Sequence, residues 1–531
     1  MQGYDISFET YPITPVLLKN KSFSEVERGK ISCEVDRLLD IGAISTIDCA
    51  DVKFSSPLFL VPKPDGKTRL ILNLKRLNMH ISRPHFKMED YRAVCNLIRK
   101  GNFMTKIDLK DAYLSVPVSS RSSKFLCFCL DSNFYCYKAL PFGLCTSPYV
   151  FTKLMRPVVR FLRESGVKLV MYLDDILILA DSIEKCAAHT ERVVETLIAL
   201  GFTINWEKSI RLPGVSIEYL GFIFDSQQMK VSLPQRKREK LFKMIQQAIK
   251  FPTNTLQHFM ELQGTLVSTC PAIGYSLLFT RSLARLIATA VKMYGDNQEV
   301  RITLDSSCLK DLKWWADELQ LGGQNIRQDS FDKVIFTDAS LSGYGGDCDG
   351  KSISGHWTVD ELAHINELEM MAIEKCLKYF CQNDSDIQIL LRVDSRTAIC
   401  YINRFGGVHS SNLHTVAKRI WQWAMDRNIY LVSSYISSKE NSKADAESRR
   451  ELRDLDWRLD SKAFAEIVRN FGEPTIDLFA SEHSAQVTRY VSLLPDINRV
   501  PVDAFTVSWK DEWIYIPTVL FNPSRAPEDR K

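Results

Sequence analysis

The ten residues VMYLDDILIL, from position 170 to position 179, place two adjacent carboxylates, Asp174 and Asp175, inside an otherwise apolar run. Burying an unpaired carboxylate is costly, two side by side repel each other, and the flanking side chains supply no cation. The pair is therefore either the solvated tip of a hairpin or a ligand pair for a metal cation. The symmetric apolar flanks predict two short core strands with the acids at the turn between them.

A metal site needs a further acid at the end of another core strand, because a hard divalent cation takes several oxygen ligands. The stretch KIDLKDAY supplies Asp108 at the end of an apolar strand predicted from Met104 to Leu109. With Asp174 and Asp175 it would hold two Mg²⁺ ions about 4 Å apart, the arrangement that serves in-line phosphoryl transfer.

The length of 531 residues is too great for one core, and three or four domains of about 150 residues are expected. Apolar residues make up 45% and charged residues 25%, as in ordinary globular proteins. The net charge of +4 is small, so any affinity for nucleic acid must come from local basic patches. The 14 cysteines form no CxxC pair, which favours free thiols in a reduced compartment over disulfides or a zinc site.

The sequence shows neither an amino-terminal signal-peptide pattern nor a run of about 18 apolar residues. We therefore expect no membrane association, and a soluble intracellular protein of the cytoplasm, the nucleus or both.

Strands and long helices alternate over the first 230 residues, which predicts an α+β domain. Residues 22–44 form an amphipathic helix that ends near Gly42, and residues 55–78 form a hairpin rich in lysine and arginine. These cations either cover phosphates or belong to an ordinary solvated edge. Residues 234–317 are predicted to be helical, with basic side chains that form a clamp on a polyanion or simply a solvated face. Their first stretch, PQRKREK, is also compatible with a nuclear-import signal.

Four more acids follow a composition shift near residues 321–331, where a new strand pattern begins. Each taken singly is compatible with a solvated acid or a helix cap, whereas together they can form a second two-metal site that cleaves a phosphodiester. They are Asp338 and Asp394 at strand ends and Glu369 and Asp445 in predicted helices.

The stretch GGDCDGKS, residues 345–352, fits the phosphate-binding expression GxxxxGK[ST]. Such a loop must run from a strand into a helix, whereas Asp-Gly here predicts a hairpin turn and the following residues alternate as in a strand. Asp347 and Asp349 would also repel phosphate, so we interpret this stretch as a hairpin.

Six motifs occur in the order and spacing of the reverse transcriptases of long-terminal-repeat-type retroelements: SSPLFLVPKPDGKTRLILNLKRLN, KIDLKDAY, LPFGLCTSP, YLDD, NWEKS and EYLGFIF. The resemblance covers residues 25–230 and implies a right-hand polymerase with fingers, palm and thumb. It makes Asp108, Asp174 and Asp175 the polymerase carboxylates, with Asp174 the safer assignment as a bridging ligand and the Leu109 carbonyl as a further ligand.

The same resemblance implies roles for five residues that bind the incoming nucleotide. Lys63 and Arg69 would bind its β- and γ-phosphates, and Lys208 would lie near the leaving pyrophosphate. Tyr113 would exclude ribonucleotides by closing the space beside the 2′ carbon. Phe142 stands where retroviral enzymes carry Gln, so apolar packing is expected there in place of a hydrogen bond.

Residues 333–448 resemble ribonuclease H, whose Asp-Glu-Asp-Asp set is matched by Asp338, Glu369, Asp394 and Asp445. Where related domains often carry His in HIPG, this chain has YISS with Tyr435, so assistance by that His is not assumed. The segments GEPTIDLFASEHSAQVTRYVS and VDAFTVSW resemble the region after ribonuclease H in DIRS-like retrotransposons, which encode a tyrosine recombinase.

The predicted fold is therefore a multidomain α+β protein, with a right-hand polymerase followed by a ribonuclease H-like α/β domain and a small extension. The predicted boundaries are 1–233 for fingers and palm, 234–325 for a helical thumb or connection, 330–450 for ribonuclease H and 451–531 for the extension.

The predicted activity is RNA- and DNA-directed DNA synthesis with ribonuclease H, using two Mg²⁺ ions per site with Mn²⁺ as a substitute. Expected partners are an RNA template, a DNA primer, an RNA–DNA hybrid and deoxynucleoside triphosphates, with a separately encoded tyrosine recombinase and a Gag-like protein. The alternative is a catalytically silent nucleic-acid-binding scaffold, which the retention of seven acids argues against. An RNA polymerase is disfavoured by Tyr113.

Overall fold

The computed structural model describes residues 3–13, 15–18, 20, 22–62, 68–295, 297–327, 330–450, 458–481, 484–492, 504–510 and 512–516. The chain divides into two compact units, residues 1–330 and residues 331–531. Each unit combines helices with sheets, which confirms the prediction of a multidomain α+β protein. The finer boundaries at 233/234 and 450/451 stay predictions.

The first unit contains several separate sheets. One has the strand order β1-β3-β7-β8-β2, a second has β11-β6-β10-β9 with β12 also pairing β6, and a third has β13-β14-β15-β18. Two further two-stranded sheets are β4-β5 and β16-β17. The strands are β1 Val16–Leu17, β2 Ile44–Thr46, β3 Phe54–Ser55, β4 Leu58–Pro62, β5 Thr68–Leu72, β6 Phe103–Lys110, β7 Cys127–Leu130, β8 Asn133–Tyr137, β9 Lys168–Tyr172, β10 Asp175–Ala180, β11 Thr203–Ile204, β12 Ile210–Gly214, β13 Ser216–Tyr219, β14 Phe222–Asp225, β15 Lys230–Ser232, β16 Thr253–Thr255, β17 Arg301–Thr303 and β18 Gln324–Asn325.

The helices of the first unit follow the predicted pattern. The stretch from residue 234 to residue 317 is mainly helical, as its apolar periodicity indicates. The helices are α1 Glu25–Asp40, α2 Tyr91–Leu97, α3 Ser120–Ser123, α4 Ser147–Glu164, α5 Ile183–Ala199, α6 Gln235–Lys250, α7 Leu256–Thr269, α8 Arg281–Tyr294 and α9 Ser306–Glu318.

Helix α1 illustrates why these residues adopt these elements. Ser24 caps its first turn by accepting from the Glu27 amide, and the Glu27 side chain accepts in return from the Ser24 amide. Ile31, Val35 and Leu38 recur at helical spacing and are buried. The helix ends at Asp40, and Gly42 follows with a φ of +69°, as the sequence predicts.

The sheet β11-β6-β10-β9 carries the first group of acids. Strand β6 alternates, so that Thr105, Ile107 and Leu109 lie on one buried face. The Thr105 hydroxyl is hydrogen-bonded to that of Thr190 on α5 at 2.6 Å, which joins the helix to this face. The opposite face presents residues 106, 108 and 110.

The second unit is built on a five-stranded sheet of order β21-β20-β19-β22-β23. Strand β19 pairs antiparallel with β20 and parallel with β22, and β22 pairs parallel with β23. A parallel pair β24-β25 and a small apolar cluster around Leu478 and Val491 lie in the last segment. The strands are β19 Lys333–Ala339, β20 Gly343–Cys348, β21 Lys351–His356, β22 Gln388–Val393, β23 Tyr430–Tyr435, β24 Ile476–Asp477 and β25 Ile514–Tyr515, and the helices are α10 Ile365–Phe380, α11 Arg396–Asn403, α12 Ser411–Met425, α13 Ser442–Ser448 and α14 Ser461–Phe471.

The GGDCDGKS stretch is a hairpin and not a phosphate-binding loop. Its residues run along β20, turn at Asp349 and Gly350, and return along β21, with Cys348 paired to Lys351. Both turn residues have positive φ, at +52° and +78°. The hairpin interpretation is confirmed.

All fourteen cysteines are free thiols. In the part of the chain that the structure describes, no helix combines the length and the apolar character needed to span a bilayer.

Candidate active sites

The VMYLDDILIL stretch forms the predicted hairpin. Strands β9 and β10 are antiparallel and pair Tyr172 with Asp175, so Leu173 and Asp174 make a two-residue loop. Leu173 has a φ of +55°, a strained conformation for a residue with a side chain, of the kind found at functional sites. The Asp174 carbonyl accepts from the Leu109 amide at 2.9 Å, which ties the tip of the hairpin to β6.

Asp108 lies beside this tip as the sequence predicts. Strand β6 pairs with β10 so that Asp108 is directly opposite Asp175. Burial raises the pKa of Asp108, against the positive charge of Lys208, which lowers it. Burial likewise raises the pKa of Asp174, and the nearby charges of Asp175 and Asp108 add to the effect. The three acids therefore lie close enough to influence one another.

The carboxylates of Asp108, Asp174 and Asp175 do not all converge on one point. Lys106 is 3.0 Å from the Asp175 carboxylate in an ion pair on the same face of the sheet. Across the described residues, the first-unit acids do not form a group of three with oxygens all within 4.8 Å of one another. The structure thus brings Asp108 and Asp174 to one end of the sheet and directs Asp175 toward a lysine.

Leu109 and Lys208 lie next to these acids. The Leu109 side chain is buried, and the residue pairs with Ile204 of β11. The segment 205–209 is fastened to β6, because the Asn205 amide donates to the Asp108 carbonyl at 2.8 Å and the Asp108 amide to the Ser209 hydroxyl at 3.0 Å. These bonds hold Lys208 close to Asp108. Lys63 lies outside the described residues.

Three of the nucleotide-binding candidates form one continuous contact. The Arg69 guanidinium lies 5.3 Å from the centre of the Phe142 ring. The Phe142 and Tyr113 ring centres are 5.2 Å apart, and Tyr113 also meets Phe151 at 5.7 Å. Burial, and next the charge of Asp174, raise the pKa of Tyr113 to about 12, so the phenol stays protonated beside the acids.

The acids of the second unit come from the elements that the sequence predicts. Asp338 lies in β19, Glu369 in α10, Asp394 directly after β22 and Asp445 in α13. Strands β19 and β22 are parallel neighbours, so their carboxyl ends lie at the same edge of the sheet.

Asp338, Glu369 and Asp394 converge, with one carboxylate oxygen of each within 4.8 Å of the others. Burial, and then the charges of Asp338 and Asp394, raise the pKa of Glu369 to about 9. Burial raises the pKa of Asp338 to about 6. The Glu369 Oε2 atom is buried and has no hydrogen-bond partner among the described residues. A buried acid with an unpartnered oxygen that converges with two further carboxylates fits a divalent cation.

Two serines orient the acids of this group. The Ser448 hydroxyl donates to Asp338 at 2.6 Å, and the Ser438 hydroxyl donates to Asp394 at 2.7 Å. The three acids line an open cavity together with residues 339–342, Ile365 and Arg449. Sequence reasoning missed both serines and Arg449, although Ser448 and Arg449 directly follow the ADAE stretch that contains Asp445.

Asp445 lies outside this group of three. Its carboxylate accepts from Arg449 at 2.9 Å in an i,i+4 ion pair on α13. It still lies close enough to Asp338 to raise the pKa of that carboxyl. Tyr435 ends β23 opposite Val393, with the Arg396 guanidinium 5.8 Å from its ring centre. Tyr435 is therefore paired with the residue that precedes Asp394.

Comparison with known proteins agrees with the first-unit geometry. Residues 61–224 match the family model described as reverse transcriptase (RNA-dependent DNA polymerase). An enzymatic polyprotein of Cassava vein mosaic virus is 22% identical over 457 residues, which are 82% of this chain and 67% of that polyprotein. The Gag-Pol polyprotein of Rous sarcoma virus subgroup C (strain Prague) is 29% identical over 219 residues, 39% of this chain and 13% of the polyprotein. A retrovirus-related Pol polyprotein from transposon opus of Drosophila melanogaster is 24% identical, covering 42% of this chain and 22% of that protein.

The fold also has solved counterparts. A foamy viral protease-reverse transcriptase in complex with dsDNA superposes with a TM-score of 0.53 at 19% identity, covering 82% of this chain and 89% of that one. The same kind of protein in complex with an RNA/DNA hybrid gives 0.52 at 20% identity, covering 81% and 56%. The chain carries a reverse transcriptase domain of the type found in retroviral and retroelement Pol polyproteins. The chain spans 67% of the Cassava vein mosaic virus polyprotein, 13% of the Rous sarcoma virus Gag-Pol polyprotein and 22% of the transposon opus Pol polyprotein.

Proposed function

We propose that this chain is an RNA- and DNA-directed DNA polymerase with ribonuclease H activity that copies retrotransposon RNA into DNA. The polymerase part rests on one observation. Asp174 lies at the tip of a hairpin, and the residue after it, Asp175, lies opposite Asp108. This geometry falls inside the segment that matches the reverse transcriptase family model. The proposed substrates are a template-primer and deoxynucleoside triphosphates.

The residues of the first site are proposed to have separate roles in nucleotide addition. Asp108, Asp174 and Asp175, with the Leu109 carbonyl, would hold the cations. Mg²⁺, for which Mn²⁺ can substitute, would when bound activate the attacking oxygen and neutralise the developing charge. Arg69, with Lys63, is proposed to bind the β- and γ-phosphates, and Lys208 to lie by the leaving pyrophosphate. The Tyr113 ring, packed on Phe142, is proposed to reject the 2′-hydroxyl.

The second site is proposed to cleave the RNA strand of the RNA–DNA hybrid. Its support is the convergence of Asp338, Glu369 and Asp394 within 4.8 Å at the edge of a sheet, on an open cavity. Glu369, whose pKa is raised to about 9, holds a proton at neutral pH and would have to release it to serve as a cation ligand. Ser438 and Ser448 orient the other two carboxylates. A related foamy viral enzyme has been solved with an RNA/DNA hybrid, the substrate proposed here.

Separate substitutions test the two activities. Asp174→Asn is expected to abolish Mg²⁺-dependent extension of a DNA primer on an RNA template and to leave hybrid cleavage intact. Asp394→Asn is expected to abolish hybrid cleavage while extension survives. Persistence of extension in Asp174→Asn would refute the polymerase site assignment. Persistence of cleavage in Asp394→Asn would refute the nuclease assignment.

A catalytically silent scaffold is the alternative function. The convergence of Asp338, Glu369 and Asp394 within 4.8 Å argues against it, since like charges held this close destabilise a fold that binds no cation. The wild-type chain distinguishes the two, because a scaffold would bind a template-primer without extending it.

We further propose that the chain comes from a DIRS-like element, with a tyrosine recombinase and a Gag-like protein as separately encoded partners. The support is the sequence of the last segment, from GEPTIDLFAS to VDAFTVSW, part of which packs around Leu478 and Val491. Sequencing the neighbouring DNA tests this proposal. A reading frame for a tyrosine recombinase is expected, and a DDE-type integrase in its place would contradict it.

A further inference from the structure

A turn with unusual backbone geometry carries Tyr113. Asp111 follows β6 directly and has φ +52° and ψ +37°, the left-handed conformation that residues with side chains seldom adopt. The short 3₁₀ turn Ala112–Ser115 begins at this residue, and the Leu114 amide donates to the Asp111 carbonyl at 2.8 Å. The orientation of Tyr113 therefore depends on the backbone of Asp111.

The side chain of Asp111 does not stabilise this turn locally. It makes no capping hydrogen bond to the turn. Its carboxylate instead accepts from Arg37 Nη1 at 2.8 Å, across 74 positions in the sequence. A long-range contact thus takes the place that a local cap usually fills.

Arg37 is itself held in one orientation. Its Nε and Nη2 atoms donate to the two carboxylate oxygens of Glu34, one turn earlier on α1, at 3.0 and 2.8 Å. Nη1, which lies outside this bidentate pair, points to Asp111. A guanidinium fixed on one edge presents its remaining donor in a fixed direction, which a lysine cannot do.

The ends of the turn are fixed by the backbone. Lys110 pairs with Thr203 in the sheet, and the Val116 carbonyl accepts from the Leu140 amide at 3.0 Å. Between these points the Tyr113 ring packs on Phe142 and Phe151. The side-chain contact between Arg37 and Asp111 is thus an additional restraint at the start of the turn.

We propose that Arg37 is a positioning residue for nucleotide selection, which acts through Asp111 to fix the turn that carries Tyr113. Arg37 touches neither the substrate nor Asp108, Asp174 and Asp175 in this role. It sets the distance between the Tyr113 ring and the sugar of the incoming nucleotide. The inference rests on the proposed polymerase function, because it assigns Tyr113 the rejection of the 2′-hydroxyl.

Selectivity measurements on Arg37→Gln, Asp111→Asn and the double variant test this role. Incorporation of dATP and of ATP opposite one template base is measured with Mg²⁺. Each single variant is expected to lower the ratio of kcat/KM for dATP to that for ATP by about tenfold, the effect of losing one charge-assisted hydrogen bond. The double variant should be no worse than either single variant, because both break the same contact.

Arg28→Gln is the matched control. Arg28 lies on the same helix and is 4.0 Å from Asp131, and both side chains are exposed. The selectivity of the Arg28→Gln variant should therefore equal that of the wild type. Arg37→Lys keeps the charge but lacks the fixed donor, so its selectivity should lie between that of Arg37→Gln and that of the wild type. A fall in thermal stability with equal losses for dATP and ATP would reduce Arg37 to a structural ion pair and overturn the proposal.

Hydrogen exchange provides a readout that does not depend on polymerase activity. The Leu114 amide, bonded to the Asp111 carbonyl, should exchange about tenfold faster in Arg37→Gln than in the wild type or Arg28→Gln. Unchanged exchange would overturn the role of Arg37 whatever the polymerase assay shows. Failure of the wild-type chain to extend primers would instead count against the proposed function.

Discussion

Asp175 lies directly opposite Asp108 in the paired strands β10 and β6, and the Asp175 carboxylate is 3.0 Å from the Lys106 ammonium. Lys106 and Asp108 are two residues apart on one strand and so share a face of the sheet. The lysine therefore balances one of the two adjacent acids, while Asp174 at the tip of the hairpin has no ion pair in the described part of the chain. Two neighbouring aspartates thus occupy different electrostatic environments.

This difference predicts unequal effects of substituting the two acids. Asp174→Asn should lower kcat for primer extension by about a thousandfold, typical of losing a group that stabilises the transition state. Asp175→Asn should lower it by about tenfold, because its carboxylate is already engaged with Lys106. Single-turnover extension measures both. Asp181→Asn, at the exposed end of the same hairpin, is the control, and equal losses in the two site variants would contradict the distinction.

The contact between Arg69 and Phe142 predicts a specific role for the guanidinium. Arg69→Lys keeps the charge but loses the flat contact with the ring, so KM for deoxynucleotides should rise about threefold to fivefold with little change in kcat. Steady-state kinetics on one template measures this change. Arg92→Lys removes a similar contact, with Tyr91 at 5.7 Å, away from the site and should leave KM unaltered. An unchanged KM in Arg69→Lys would show that the contact between Arg69 and Phe142 does not contribute to nucleotide binding.

The convergence of three acids in the second unit predicts stabilisation by divalent cations. Millimolar Mg²⁺ or Mn²⁺ should raise the melting temperature of the wild-type chain, since a ligand that binds only the folded state stabilises it. Glu369→Gln should lose most of this rise. Glu374→Gln removes a buried acid on the same helix that is already paired with Arg419 and Lys378, so it should lower stability but keep the cation effect. A cation effect in Glu369→Gln as large as that of the wild type would refute the assignment of this acid.

The raised pKa values predict how stability varies with pH when divalent cations are chelated. Glu369 titrates at about 9 in the folded state, well above its ordinary value of 4.5, and Asp338 at about 6 against 3.8. The folded state then binds more protons than the unfolded state, so the free energy of unfolding should fall as pH rises from about 4 to 9. In Glu369→Gln the free energy of unfolding should fall less steeply above pH 6, and at pH 8 it should be higher than that of the wild type. Chemical denaturation at several pH values in EDTA measures this, and stability that rises over the same range would contradict it.

Local sequence patterns were enough to predict the elements that carry the acids. The apolar flanks of Asp174 and Asp175 define a hairpin, and the strand that carries Asp108 runs from Phe103 to Lys110, within one residue of its predicted ends. The Asp-Gly turn in GGDCDGKS was likewise enough to identify a hairpin. These features depend on residues a few positions apart, whose side-chain periodicity reports directly on the local backbone.

The order and spacing of motifs in the sequence determined the type of domain, the α+β architecture and the set of candidate acids. Only the tertiary structure decided which of those acids meet. It placed Lys106 against Asp175 and joined Arg37 to Asp111 across 74 positions. Such contacts depend on distances of a few ångströms between side chains remote in sequence, which strand register and helix packing set and which no local periodicity records.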